Sequence, residues 1–494
     1  MKSDLHTFIH SLTQNEKRYF KLQASLGFEG TRKSYWQLYE LIHGQKNYDE
    51  KSIKSQIGSH RFAQQKKDLE EKLLESLRNY HAGKTVVELV NFELKNYRIY
   101  SEKGLSKRAV KCLIKAEELA RRYEMYPELL RIFEDSIPII VNSASPSQIK
   151  AQIQSIRQEI PIIQQKIELS FLIQQDYLYF ITLNKENEFL RREEVANAAL
   201  DLISQLSDKI SNCNLSALSQ AQFHYLCGLG YFLCGQFSES QNAFFKEFQT
   251  YEQFPIIKTT QKDSYVKCLG NNALLSITLS QEAKLDSWFS TNTKINILEH
   301  DNNIVVLYEH ILNIRLFIKK SQWLTAFQYI LKNLDLKGQS LSIFNQISMK
   351  TEADYMFFDI LRIYLEMNEY YEANQHLNYY LNNVDVTQKI DNYIMARIVF
   401  VYLQLIQREF SVAESEWRSL KRFIKKNKRD FIFEKLNLKC LSRLILHPIK
   451  EKQQKILQKF ILELENLKMH REGRMTMFTF DLSEWLKGVN LMRK

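Results

Sequence analysis

The chain has 494 residues with only 13 glycines and 6 prolines, too few turn-forming residues for an all-β or α/β fold of this length. Hydrophobic residues make up 45% of it, which excludes a disordered chain. The formal net charge of +11 makes acidic or polyanionic partners worth considering. A single compact core stops growing below this length, so we expect several domains or a helical repeat array.

Targeting and redox signals are weak throughout the chain. The opening MKSDLHTFIHSL has no apolar run of signal-peptide length, and the most apolar span, Phe171 to Leu183, is interrupted by Gln174 and Asp176. The six cysteines form no Cys-x-x-Cys pair, and Cys227 and Cys234 lie one heptad apart, which predicts two buried free thiols. We therefore expect a cytoplasmic protein that neither enters nor crosses a membrane.

Residues 1–85 are predicted to form an N-terminal helical cap domain. Thr13 and Glu16 have the spacing of a capping box, which predicts the start of a helix. Helical periodicity predicts further helices at about Lys33–Ile42, Asp49–Ile57 and Arg61–Tyr80. The two helices around the turn at Gly44 to Tyr48 are compatible with a DNA-reading helix-turn-helix. A purely structural cap on a repeat array is the favoured interpretation.

The stretch from Ala221 to Pro255 has the pattern of two closely packed antiparallel helices. Small residues allow the helices to approach, and aromatic residues fill the space between them. The residues of this pattern are Gly228, Tyr231, Gly235, Phe237 and Phe244. The stretch resembles one tetratricopeptide (TPR) unit. A single unit of this kind cannot bury its own apolar face, so copies of it are expected along the chain.

A small residue recurs in the second helix of each expected hairpin. The positions are Ala109, Ala151, Ala196, Ser240, Ala283, Ala326, Ala373 and Ala413. Their spacing is about 43 residues, against roughly 34 for a standard TPR. We expect an all-α fold in which residues 86–428 form a right-handed superhelical solenoid of TPR-like antiparallel helix hairpins. A HEAT-like superhelix is the alternative, and the repeats around 151, 196 and 283 lack the expected aromatic residue.

Residues 429–494 are predicted to form basic C-terminal capping helices that cover the last apolar face of the array. Helical patterns occupy about Phe431–Leu446, Glu451–Met469 and Arg471–Thr479, and Asp481 begins a last short helix that carries Trp485. Within the array, Pro138 and Pro146 predict the clearest loop. The segments SLTQNEKRYFK and FDLSEWL resemble the ends of a family of uncharacterised bacterial helical-repeat proteins, a resemblance that implies no activity.

Catalytic and metal-binding motifs are missing from the sequence. It has no His-Glu-x-x-His, no Gly-rich phosphate loop ending in Gly-Lys-Ser/Thr and no Gly-x-Ser-x-Gly. His6 and His10 have a spacing that would let them share a metal, but a surface and a core histidine are the favoured interpretation. We therefore predict a protein without catalytic activity, cofactor or metal.

The positive charge is concentrated near the C-terminus. Residues 418–460 contain 14 Lys and Arg against three Asp and Glu, which accounts for the whole excess of +11. The densest part is the predicted basic patch of Lys421, Arg422, Lys425, Lys426, Lys428 and Arg429. It is predicted to bind nucleic-acid phosphates or an acidic protein. The alternative is a solvated helix end that keeps the protein soluble.

A second candidate site follows from aligning the repeats. In TPR proteins the first helix of each hairpin lines a concave groove, and one position of that helix recurs as a contact. The corresponding residues here are Arg98, Leu229, Arg315, Arg362 and Tyr402. Stacked arginines would bind the carboxylates of a partner through paired N–H donors. The favoured interpretation is that they are solvated or paired with neighbouring acids such as Glu309 or Glu366.

The sequence thus favours a non-catalytic, cytoplasmic scaffold that holds a protein or peptide in the groove of a TPR-like solenoid. The alternative is a nucleic-acid-associated regulator, in which a helical N-terminal reader and the basic patch contact nucleic acid while the solenoid senses a peptide or protein.

Overall fold

The structure is a computed structural model that describes residues 4–25, 34–58, 61–81, 83, 85–143, 145–187, 191–281, 303–334, 351–387 and 389–489. These ranges contain 24 helices and no strand, so the predicted all-α class is confirmed. The chain divides into two compact units, Met1–Gln164 and Gln165–Lys494. The predicted domain boundaries after residues 85 and 428 stay predictions.

The first unit begins with five helices around one small core. They are α1 (Asp4–Ser11), α2 (Gln14–Ser25), α3 (Ser34–His43), α4 (Glu50–Ile57) and α5 (Phe62–His81). The predicted capping box is confirmed, because the Thr13 amide donates to Glu16 Oε2 at 2.7 Å and the Glu16 amide donates to Thr13 Oγ1 at 3.3 Å. Ile9, Leu38 and Leu69 are fully buried and join α1, α3 and α5.

Three longer helices complete the first unit together with the start of a fourth. They are α6 (Val86–Glu102), α7 (Ser106–Arg122), α8 (Tyr126–Ser143) and α9 (Pro146–Asn187). The predicted loop between Pro138 and Pro146 is wrong in part. Pro138 lies inside α8, and only Pro146 marks a helix start. Pro138 is exposed, so its ring stays out of the core and water can satisfy the backbone carbonyl that it leaves without a donor.

The second unit contains the rest of α9 and 15 further helices. These are α10 (Glu193–Ile210), α11 (Ala217–Leu233), α12 (Phe237–Gln253), α13 (Pro255–Thr260), α14 (Lys262–Thr278), α15 (Asn303–Lys319), α16 (Trp323–Asn333), α17 (Thr351–Glu366), α18 (Tyr370–Asn383), α19 (Ile390–Ile406), α20 (Phe410–Lys426), α21 (Ile432–Leu446), α22 (Lys450–Lys468), α23 (Arg471–Thr479) and α24 (Leu482–Gly488).

Helices α11 and α12 form the hairpin that the sequence predicts most clearly. A Cβ added to Gly228 would lie 2.5 Å from the Phe244 ring, so only glycine allows this approach. The Ser240 hydroxyl donates to the Gly228 carbonyl at 2.7 Å. Gly235 ends the turn with φ +72°, a conformation that favours glycine. The prediction of two closely packed helices joined at Gly235 is therefore confirmed.

The predicted small positions are mostly buried between helices. Those that lie in the core are Ala109, Ala196, Ser240, Ala326, Ala373 and Ala413. Ala151 is exposed on α9, because α9 continues for 42 residues instead of forming a short hairpin there. Ala283 lies outside the described residues. Helices packed in neighbouring pairs are compatible with a helical repeat.

The C-terminal helices were predicted to within two residues, and they do more than cap the last hairpin. Asp481 accepts a hydrogen bond from the Glu484 amide at 3.1 Å and begins α24 as expected. Residues 471–489, the C-terminal segment, then run back over earlier helices of the unit. The ring of Phe478 lies 4.9 Å from that of Phe232 in α11 and 5.6 Å from that of Tyr355 in α17.

His376 in α18 makes the stability of this unit depend on pH. Its ring is buried and stacks on Phe357 with centroids 4.4 Å apart, and Nε2 lies 3.1 Å from the Phe357 carbonyl. Burial lowers the pKa of His376 to about 4. The unfolded chain takes up a proton at its ordinary pKa of about 6.5, so stability falls as the pH drops from there towards 4.

We expect wild-type protein to lose roughly 2 kcal/mol between pH 7 and pH 5 relative to His376→Phe, which has no proton to bind. Urea unfolding of both proteins at the two pH values measures this difference. An equal pH dependence in the two proteins would show that His376 does not carry the effect.

Candidate functional site

Arg98 is the candidate groove residue that stays accessible. It lies on α6 with 52% of its side chain exposed, and its guanidinium is 3.7 Å from the Asp135 carboxylate on α8. The Tyr97 hydroxyl also donates to the Asp135 carbonyl at 2.6 Å, which holds α6 beside α8. Arg98 is therefore held between two helices of the first unit with much of its side chain in solvent.

Arg315 is buried against the second unit's own residues. Its Nε donates to Asp359 Oδ2 at 2.9 Å, and only 11% of the side chain is exposed. The guanidinium lies 5.0 Å from the Tyr355 ring and 5.3 Å from the Phe478 ring of the C-terminal segment. The expected pairing of this arginine with an acid is present, but the acid is Asp359 and not Glu309.

Arg362 and Tyr402 are covered by the same segment. Arg362 pairs with Glu366 at 2.6 Å, as the favoured interpretation proposed, and Nη1 donates to the Asp481 carbonyl at 3.0 Å. Tyr402 is 2% exposed, and its ring lies 6.4 Å from that of Trp485. Leu229 is half-buried. At Arg315, Arg362 and Tyr402, the C-terminal segment thus lies where a bound peptide was predicted.

The predicted basic patch is largely exposed at the end of α20. Lys421, Arg422, Lys425, Lys426 and Lys428 all face solvent and form no ion pair with the described acids. Arg429 differs, since only 12% of its side chain is exposed and its Nη1 lies 3.9 Å from Asp391 Oδ1. Lys421 Nζ lies 5.2 Å above the Trp417 ring.

The positive surface continues onto the next two helices, beyond the predicted run. A cavity of about 180 Å³ between α21 and α22 is lined by four cations, with Glu463 as the acid among its lining residues. The four are Lys439, Arg443, Lys455 and Lys459. Repulsion among these side chains is relieved when an anion binds between them. The sequence predicts the excess positive charge of this region, and the structure shows that these four side chains line one cavity.

A second cavity, of about 240 Å³, lies among α9, α11, α12 and α14 in the second unit. Tyrosines and polar side chains line it, and Glu247 of α12 is one of them. Glu247 is 2% exposed, and burial raises its pKa well above the ordinary value. Sequence reasoning missed this residue. Its signal was an acid on the apolar face of α12, three residues after Phe244 and four before Tyr251.

The histidine and cysteine candidates have structural surroundings. His6 is buried with Nε2 3.0 Å from the Gln45 carbonyl, and His10 is exposed with its ring 4.3 Å from that of His6. The six cysteines are unpaired thiols. Among the described residues there is no group of three potential metal ligands.

In the part of the chain that the structure describes, no helix has the length and apolar character needed to cross a bilayer.

Comparison with known proteins adds no further assignment. No protein-family model, no curated protein and no solved structure matches the chain.

Proposed function

We propose that the chain is a non-catalytic, cytoplasmic scaffold that binds a segment of a partner protein or a peptide. Its helices would form a superhelical solenoid of TPR-like hairpins with a period of about 43 residues. The neighbouring-pair packing and the buried small residues support this architecture. Unpaired thiols support a reducing compartment.

The observation that carries the proposal is a pair of exposed apolar rows, one on α6 and one on α8. Phe92 and Ile99 lie seven residues apart on α6 and are 57% and 55% exposed. Ile137 and Val141 lie one turn apart on α8 and are also exposed. Exposed rows of large apolar side chains are typical of surfaces that bind other proteins. Arg98 directly precedes Ile99 on α6 and adds a donor for carboxylates.

A second function is favoured by a separate observation, the cations on α20, α21 and α22 that form no ion pair with the acids that the structure describes. Here the chain is a nucleic-acid-associated regulator, whose lysines and arginines neutralise backbone phosphates. Trp417 and Phe423 lie among the cations of α20, where both are partly buried against the core. The N-terminal helices α3 and α4, around the turn that follows Gly44, remain the candidate reader in this alternative.

One experiment separates the two functions. Tagged protein is used to capture partners from its native lysate, with and without nuclease and at two salt concentrations, as wild type and as two surface variants. The scaffold predicts that Phe92→Asp with Ile99→Asp loses its near-stoichiometric partner, while nuclease has no effect and the salt dependence is shallow. The triple variant Lys421→Glu, Lys425→Glu, Lys426→Glu should retain that partner.

The nucleic-acid function predicts the reverse pattern. The captured proteins disappear with nuclease, the triple variant captures nothing, and affinity falls with salt by roughly one log-log unit per phosphate contact. Full capture by the Phe92 and Ile99 variant would disprove the scaffold surface. Circular dichroism of each variant checks that the exposed substitutions leave the helices intact.

A further inference from the structure

The cavity around Glu247 has the features of a small-molecule site. Its volume of about 240 Å³ exceeds the roughly 150 Å³ that accommodates a benzene-sized ligand in an apolar core. Three tyrosines, Tyr177, Tyr225 and Tyr251, contribute to its walls from three different helices.

Two buried oxygen atoms of this cavity have no hydrogen-bond donor. Glu247 Oε2 and Gln222 Oε1 are both inaccessible to solvent and find no donor among the described residues. A buried acceptor without a donor costs about 1–3 kcal/mol, so proteins rarely retain one unless something else binds it. The Cys268 thiol, which donates to the Phe244 carbonyl at 3.7 Å, opposes only part of the rise in the pKa of Glu247 that burial causes. A ligand group that donates several hydrogen bonds would therefore satisfy both oxygen atoms.

The tyrosine walls favour a positively charged donor. The rings of Tyr177 and Tyr225 lie 6.0 Å apart, and the faces of tyrosine rings attract cations. A primary ammonium group carries three N–H donors and one positive charge. It matches two acceptor oxygens and an aromatic wall better than a neutral alcohol or an amide does.

Lys267 of α14 also lines the cavity. Its ammonium would repel a ligand that carries only positive charge, but it would pair with a carboxylate at the other end of a zwitterion. The lining thus has a carboxyl group that can pair with the ammonium group of an amino acid and an ammonium group that can pair with its carboxylate.

We propose that this cavity binds a free amino acid, with the α-ammonium group held by Glu247 and Gln222 and the carboxylate by Lys267. The proposal goes beyond the scaffold function and does not depend on it. The surface on α6 and α8 and the cavity among α9, α11, α12 and α14 share no residue.

The test is a thermal-shift screen of the full chain with the twenty proteinogenic amino acids, followed by calorimetric titration of those that raise the melting temperature. Each binder is compared with its two truncated analogues. For phenylalanine these are 3-phenylpropanoate, which lacks the ammonium group, and 2-phenylethylamine, which lacks the carboxylate. We expect both analogues to bind at least about tenfold more weakly, because each leaves a charged group of the cavity without its partner.

Three variants assign the contacts. Glu247→Gln keeps the shape of the side chain and should weaken amino-acid binding about tenfold or more. Lys267→Met should weaken binding of the amino acid but not of its decarboxylated analogue. Glu252→Gln is the matched control, since Glu252 lies five residues further along α12 and pairs with Lys258 at 2.6 Å outside the cavity lining. It should bind like wild type.

The proposal is overturned if no amino acid raises the melting temperature, if the deaminated analogue binds as well as the amino acid, or if Glu247→Gln binds with wild-type affinity. The melting temperatures of the unliganded variants show independently that Glu247→Gln is folded.

Discussion

Replacing Arg191 by alanine is expected to lower the free energy of unfolding of the second unit by about 3–5 kcal/mol. The guanidinium is 1% exposed and forms two parallel 2.7 Å hydrogen bonds with Glu434. It also lies 3.3 Å from Glu472 and 3.5 Å from Asp391, and 4.2 Å from the Phe431 ring. One cation therefore holds three acids from α19, α21 and α23 beside the start of α10.

The size of the effect comes from what the substitution leaves behind. Without Arg191, the buried carboxylate of Glu434 loses two 2.7 Å hydrogen bonds to a cation, whereas Asp391 keeps Arg429 at 3.9 Å. Burial and the Asp391 charge already raise the pKa of Glu434, so the loss should be partly recovered at lower pH, where Glu434 binds a proton.

Urea unfolding at pH 7 and pH 5 measures both expectations for Arg191. Arg418→Ala is the control, because Arg418 is 67% exposed and its ion pair is with Glu414 one turn away. It should change stability by no more than about 0.5 kcal/mol. A loss for Arg191→Ala as small as the control's would show that the ion cluster contributes little to the fold.

The sequence predicts local structure well where a local signal exists. Helix α3 and helices α21 to α23 begin and end within two residues of their predicted positions, because caps, prolines and apolar periodicity act over a few residues. The same holds for the close approach at Gly228, where the small residue and Phe244 belong to one hairpin. Pro138 shows the limit of such local signals. The proline was predicted to mark a loop, but it is exposed on α8 and the helix continues past it.

Interactions between distant parts of the chain could not be predicted. Arg191 and Glu434 are 243 residues apart, and neither differs in its local pattern from a solvated helix residue. For the candidate groove, the alignment of the repeats selected positions in α15, α17 and α19 that all contact the C-terminal segment. The repeat pattern did not predict which part of the chain covers these positions. They are covered by the C-terminal segment, whose own helical pattern does not show where it packs. Glu247 was missed because its burial depends on packing between four helices.

Replacing Trp485 by alanine is the second substitution with a large expected effect, a loss of about 3–5 kcal/mol. Trp485 is 2% exposed and packs in the main core of the second unit, with its ring 6.0 Å from that of Phe480. Tyr371→Ala is the control, because Tyr371 is 69% exposed and its truncation should change stability by about 0.5 kcal/mol or less.

The unfolding of Trp485→Ala also tests whether the C-terminal segment is a fixed part of the core or an occupant that a partner can displace. Leu482, Trp485 and Leu486 belong to the same core as Phe358 and Tyr402, so we expect the whole unit to melt at a lower temperature in one step. Limited proteolysis should then cut the segment no faster than the helices it covers. If the segment is cleaved first while the unit stays folded, it is a displaceable occupant. Arg315 and Arg362 would then be available to a partner peptide, and the second unit would have a peptide-binding surface of its own.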